Sequence, residues 1–228
     1  MTSITIDLPF LLLAIALLWF PRQWLRLGSV FKRRRSTNAV RAAQEPWNKR
    51  EPGDPQMSFA SEFSKFRNYI DLLRAGAGSL ALWGGLGITA SLGVAEGAPR
   101  NTGYAVIVVR SLIMLVGLLV QTVRYENRRL TFYPPIFYLA GLTVGLSGYR
   151  AAFFAFALIW AINAAFGSPL GFLSIYAVLV VAFGFAFAGG VGVPGVLAGV
   201  FCFLPGLLSL LANRPLVVFS RKGSHPAR

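Results

Sequence analysis

The chain has 228 residues, 55% of them hydrophobic and 13% charged, with a mean hydropathy of +0.61. Soluble domains carry about 25% charged residues, and each ion at the centre of a bilayer is costly, so this balance argues against a water-soluble globule and fits a surface that faces lipid. The net charge of +14, from 22 Lys and Arg against 8 Asp and Glu, would suggest nucleic acid in a soluble protein, and the single cysteine, Cys202, excludes an intramolecular disulfide.

The first apolar run covers residues 8–20 and extends back to Ile4 around Asp7. Its basic residues follow it (Arg22, Arg26, then Lys32-Arg33-Arg34-Arg35) and none precedes it. A cleavable signal carries its positive charge in front. The polarity here predicts an uncleaved anchor, residues 1–27, with its N-terminus outside. Residues 28–57 are basic and contain Pro46, Pro52 and Pro55, the composition of a cytoplasmic linker.

From Ser58 the pattern changes. Phe59, Phe63, Phe66, Ile70 and Leu73 recur every three or four residues, with Glu62, Lys65, Asn68 and Asp71 between them. That period predicts an amphipathic helix over 58–74, lying on the cytoplasmic membrane surface or else packing on the bundle or on a partner. Six further apolar runs follow, at 75–95, 104–123, 134–148, 151–166, 170–188 and 195–212. Residues 75–213 thus read as a six-helix membrane bundle and 214–228 as a basic cytoplasmic tail. Pro134, Pro169 and Pro194 stand at predicted helix starts, and Pro205 falls inside the last helix. The predicted fold is all-α: a polytopic helical bundle with about seven transmembrane helices, N-terminus outside and C-terminus in the cytoplasm. The two shortest runs, 134–148 and 151–166, are the weakest candidates for full crossings. Helices two to four and five to seven would make a three-plus-three inverted pair by number, but their sequences do not match.

With this topology, 19 of the 22 Lys and Arg fall on the cytoplasmic side. Lys and Arg gather there in membrane proteins and set the orientation. The net charge is therefore accounted for without nucleic acid, and a bacterial inner membrane is the expected location.

Residues able to carry chemistry are few. Gly145-Leu146-Ser147-Gly148 has the GxSG form of the rhomboid intramembrane proteases. Such a serine needs a base, and the one histidine, His225, belongs to the opposite side of the membrane. Cys202 lies between Phe201 and Phe203, a setting that keeps a thiol inert. No metal cluster or cofactor motif is present in the sequence. The intramembrane polar candidates are Asp7, Arg110 and Asn163. Arg110 would pair with Asp7 or reach the outer interface, and Asn163 would hydrogen-bond between helices mid-span. Arg124, Arg128 and Arg129, in a compact loop, and Lys32, Arg33, Arg34 and Arg35 are candidates for binding anionic lipid headgroups. Gly141 and Gly145, and Gly195 and Gly199, have the spacing that lets helices approach closely in lipid.

These features favour a non-catalytic membrane subunit or scaffold that binds lipid and either a membrane protein partner or further copies of itself. A small transporter, channel or flippase is the alternative, and a membrane enzyme acting on lipid-linked substrates is the third reading. The enzyme reading requires Asp71 and Glu126 to meet in the fold, since no carboxylate pair has motif spacing.

Overall fold

The computed structural model describes residues 4–22, 59–126, 129–166, 168–188, 192–213 and 216. The basic linker expected at 28–57, and all of the tail expected at 214–228 except residue 216, lie outside them.

The described residues are predominantly helical. Their order is β1 (Ile4–Ile6), α1 (Leu8–Trp19), α2 (Phe59–Phe63), α3 (Phe66–Trp83), β2 (Leu92–Val94), α4 (Arg100–Thr122), β3 (Val123–Glu126), β4 (Arg129–Phe132), α5 (Ile136–Ser147), α6 (Tyr149–Ala161), α7 (Pro169–Ala188) and α8 (Val193–Leu211). Among the described residues, three helices are long and apolar enough to cross a membrane: Arg100–Thr122, Pro169–Phe187 and Val193–Leu211. At 1.5 Å per residue, the 23 residues of α4 reach about 34 Å, against a hydrocarbon core of about 30 Å.

Two local rules shape α1. Asp7 caps its start, the carboxylate accepting the Phe10 N–H at 3.3 Å, and Pro9 occupies the first turn. Its end falls just before Pro21, which cannot continue a helix. α5 is buried on nearly every side, from Ile136 through Thr143, and packs against α3, α6, α7 and α8. With 12 residues it is only about 18 Å long. Being enclosed by protein, it need not match the thickness of the lipid.

Contacts along the helices fix their relative directions. Gly78 faces Leu18 while Arg22 meets Asp71, so α1 and α3 run antiparallel. Leu18 lies against Gly117 and Phe20 beside Gln121, so α1 and α4 run parallel. Gly141 abuts Leu72 and Gly76 while Gly145 abuts Ser79, so α3 and α5 run parallel at very close range. A Cβ on Gly141 would stand 2.7 Å from the Gly76 nitrogen, and one on Gly145 would stand 2.6 Å from the Ser79 carbonyl. Ser79 fastens the seam: its one hydroxyl proton lies within reach of the Gly76 and Gly141 carbonyls, and its oxygen accepts the Gly145 N–H at 3.2 Å. Of the second glycine pair, only Gly199 makes a close approach, to Val181 and Ala177 on α7; Gly195 has open space.

The largest departure from the sequence expectation concerns residues 58–95. A surface helix ending at 74 and a separate span from 75 to 95 are replaced by the short α2 and one continuous α3. Nothing between Phe66 and Trp83 breaks the helix, so it runs through the expected boundary. It ends at Gly84, whose φ of +81° suits glycine alone, well before the apolar run does. Residues 84–95 form instead a tight turn, bridged between Gly85 and Ile88, and the strand β2.

The orientation of α3 is equally informative. Its polar residues Asn68, Asp71 and Arg74 are buried in the protein, while Phe66 and Leu73 are 77% and 70% exposed. A water-soluble amphipathic helix does the reverse. The packing-on-the-bundle alternative is therefore the one realised.

Smaller corrections follow the same logic. The compact loop expected at 124–129 is a hairpin, with Arg124 opposite Thr131 and Glu126 opposite Arg129. α6 stops at Ala161 and gives way to a 3₁₀ turn at Asn163–Ala165, so the helix is shorter than the apolar run 151–166. Two strands at the opposite end of α4 were not anticipated: β1 pairs antiparallel with β2, Ile4 opposite Val94 and Ile6 opposite Leu92.

Candidate functional site

The densest polar site in the described residues lies where α1 ends. A helix C-terminus leaves four carbonyls without intrahelical partners. In lipid, each one left unsatisfied is costly. Here the carbonyls are served by side chains from three other helices. Arg74 of α3 donates to the Phe20 carbonyl, Gln121 of α4 donates to the same oxygen at 2.9 Å, and Tyr138 of α5 donates to Leu18 at 2.9 Å. The Gln121 oxygen in turn accepts the Arg22 N–H at 3.1 Å. The carbonyls of Leu18 and Phe20 at the end of α1 thus have partners on α3, α4 and α5.

The charges are arranged around one carboxylate. Asp71 is 1% exposed and meets Arg22 Nε at 2.8 Å on one oxygen and Arg74 Nη2 at 2.8 Å and Nε at 2.9 Å on the other. Arg22 also donates to Asn68, whose amide reaches the Glu62 carboxylate at 2.9 Å, and Glu62 pairs with Lys65. Arg74 lies over the Tyr138 ring, 5.2 Å from its centroid. Two arginines against one aspartate leave one excess positive charge beside the negative end of the α1 dipole, which favours cations. Asp71 and Arg74 are five and eight residues into α3, about 7 and 12 Å along its axis. The physical product is a lock: α1 is clamped to α3 by charge-assisted hydrogen bonds, and to α4 and α5 by the Gln121 and Tyr138 bonds, around a buried carboxylate.

The α2 segment is tied to the same site. Phe63 packs among Tyr69, Phe137 and Trp160, with ring centroids 6.3, 5.1 and 5.3 Å away. Ring pairs at such distances add to the burial of their apolar area.

The residues singled out in the sequence are mostly elsewhere. Asp7 is the α1 cap and is not paired with Arg110. Arg110 instead donates to the Leu92 carbonyl of β2 and sits 5.1 Å from the Trp83 ring centroid. The expected Asp7–Arg110 pairing is thus replaced by a backbone and a ring contact, because Asp7 is held at its own helix start. Asn163 is buried at the 3₁₀ turn after α6 rather than mid-helix. Ser147 is the last residue of α5, and Cys202 is buried within α8. Arg124 and Arg129 lie on the β3–β4 hairpin, in register with Thr131 and Glu126. Arg128, Lys32, Arg33, Arg34, Arg35 and His225 lie outside the described residues. Among the described residues, no three His, Cys, Asp or Glu side chains gather as a metal site would require.

The sequence marks Glu62, Lys65, Asn68 and Asp71 as the polar residues of one helix but not as parts of this site. Arg22, Arg74, Gln121 and Tyr138 complete it. The available signal was the Asp71–Arg74 spacing of three, which puts both on one helix face, and a glutamine inside an apolar run.

Comparison with known protein families, curated proteins and solved structures finds no match to this chain.

Arg110 supports a first prediction. Arg110→Leu removes the anchor of β2 and a cation–π contact of about 0.5–1 kcal/mol, so global stability should fall by only that order. Hydrogen exchange at Leu92–Val94 should rise clearly while exchange within α4 stays unchanged. Unaltered protection of β2 would show that Arg110 does not hold the strand.

Proposed function

We propose that the chain is a multi-pass protein of a bacterial inner membrane, with seven crossings, its N-terminus outside and its C-terminus in the cytoplasm, acting as a non-catalytic integral membrane subunit or scaffold. The observation that carries the functional part is the use of the buried charges. Asp71, Arg74 and Arg22 bind one another and the end of α1, and Arg110 binds a strand carbonyl. An enzyme or a proton-coupled transporter requires an ionisable group poised for a substrate or a proton. Both oxygens of the Asp71 carboxylate are instead engaged by arginines, which speaks against its use as an acid or base.

The topology rests on three supports. The antiparallel and parallel helix pairs agree with alternating crossings by α1, α3, α4 and α5. The inward polar face of α3 suits a helix surrounded by lipid. The distribution of Lys and Arg sets the orientation. The partners implied are membrane lipids, including anionic headgroups near the basic segments, and a membrane protein or further copies of the chain.

Purification of the tagged protein in a mild detergent, with mass spectrometry of what remains bound, tests the role. A protein partner, or the chain itself, retained at fixed stoichiometry is the expected result. A chain that emerges alone with one defined small molecule or lipid would overturn the subunit reading in favour of a transporter or enzyme.

A further inference from the structure

We infer that the β1–β2 ribbon and the turn at 84–88 form a collar that dips into the outer leaflet and contacts lipid. The inference rests on the multi-pass reading above.

The ribbon is drawn down beside the helices. Ser91 donates its N–H to the Ala81 carbonyl at 2.9 Å, two residues short of the end of α3 at Trp83. The Ser91 carbonyl accepts the N–H of Asp7, the α1 cap, at 2.8 Å. Arg110, ten residues into α4, reaches the Leu92 carbonyl. Ten residues of helix span about 15 Å, more than an arginine side chain can reach, so β2 lies alongside the first turns of α4. Leu92 itself is 5% exposed and joins the core.

The ribbon face that seats Leu92 also carries Ile6, Ile4 and Val94, since alternate strand residues share a face and the register pairs Ile6 with Leu92 and Ile4 with Val94. These three are exposed. They continue the exposed apolar faces of the adjoining helices, Leu8 and Leu12 on α1 and Tyr104 and Val108 on α4. Continuity with two helix faces that meet lipid under the multi-pass reading assigns the same occupant to the ribbon.

The turn agrees independently. Leu86 has a φ of +52° and is 61% exposed. Positive φ is unfavourable for a branched aliphatic residue, and glycine, asparagine or aspartate is usual in such a turn. An aliphatic side chain held out at that tip, with Ile88 exposed beside it, suits insertion among acyl chains.

The test places single cysteines at Ile6, Leu86 and Val94 in a Cys202→Ser background. Each is labelled with an environment-sensitive fluorophore in phosphatidylethanolamine–phosphatidylglycerol vesicles. Glu96→Cys is the aqueous control and Val108→Cys the lipid control. The expected result at all three ribbon positions is several-fold stronger quenching by shallow spin-labelled lipid, and several-fold weaker quenching by iodide, than at Glu96→Cys. Iodide quenching equal to that at Glu96→Cys would place the ribbon in water and overturn the inference. Protection from both quenchers would show that protein covers it, which overturns the inference equally. Lipid quenching at Val108→Cys separates the two readings: present there but absent from the ribbon, only the collar fails; absent at Val108 too, the membrane-spanning placement of α4 fails.

Discussion

Replacing Asp71 by alanine is expected to destabilise the protein by about 3–5 kcal/mol, the cost of leaving a buried partner charge uncompensated. The change removes the one carboxylate that meets both Arg22 and Arg74. Arg74 then faces only the α1 carbonyls and the Tyr138 ring, with the excess charge in a dry site. Thermal unfolding in detergent, followed by loss of monodisperse protein on size exclusion, measures the effect. The same measurement on Arg22→Leu and on the double variant gives the coupling, expected at about 1–3 kcal/mol because contacting charges are not additive. Arg74→Leu should resemble Asp71→Ala in size for a different reason, since it uncovers the end of α1. A loss below about 0.5 kcal/mol for Asp71→Ala, the scale of an ordinary surface substitution, would show that the cluster is hydrated rather than a dry lock.

Gly141→Leu should be the most damaging of the glycine substitutions. Even its Cβ would meet the Leu72 carbonyl and lie 2.7 Å from both the Ala75 Cβ and the Gly76 nitrogen. Two of these three atoms are backbone, so α3 and α5 must separate. Overpacking ordinarily costs about 1–3 kcal/mol, and the rigid seam puts Gly141→Leu at or above the top of that range. Gly145→Leu, against Ser79, should behave alike. Gly195→Ala is the internal control: nothing lies within 4 Å of its Cβ, and stability should change by less than about 0.5 kcal/mol. Because Gly141–Gly145 and Gly195–Gly199 share one spacing, a glycine scan read by unfolding temperature separates the packed seam from a mere spacing pattern. Equal effects at Gly141 and Gly195 would contradict the described contacts.

Much of the helical path is legible in the sequence, because apolar runs of 15–20 residues have few other outcomes. The positions of α1, α4, α7 and α8 follow from such runs and from the prolines at or near their ends. What composition does not reveal is where an apolar run stops being helix. Residues 84–95 are as apolar as a span, yet Gly84, Gly85 and Gly87 adopt positive φ and turn the chain into a ribbon. The burial of α3 was hidden for a related reason. Its 3.6-residue pattern is genuine, but a periodic pattern reports two faces without saying which solvent surrounds them. Here the polar face of Asn68, Asp71 and Arg74 turns into the protein, the opposite of the surface-helix expectation. The lock itself joins residues up to 120 positions apart, as in the Tyr138–Leu18 bond, and no local spacing encodes that meeting. Arg110 was visible as an ion inside an apolar run, but its partner was a backbone carbonyl, which has no sequence signature.

The most direct test of the account is the sidedness of the turns between helices, measured by labelling single cysteines, in a Cys202→Ser background, in intact cells with a membrane-impermeant maleimide. Sites at Glu96, Tyr149 and Gly192, which follow α3, α5 and α7, should label from outside, whereas Lys65, Ser168 and Asn213 should label only after lysis. Labelling of Ser168 or Asn213 from outside, or failure of Tyr149 to label there while Glu96 does, would contradict seven alternating crossings.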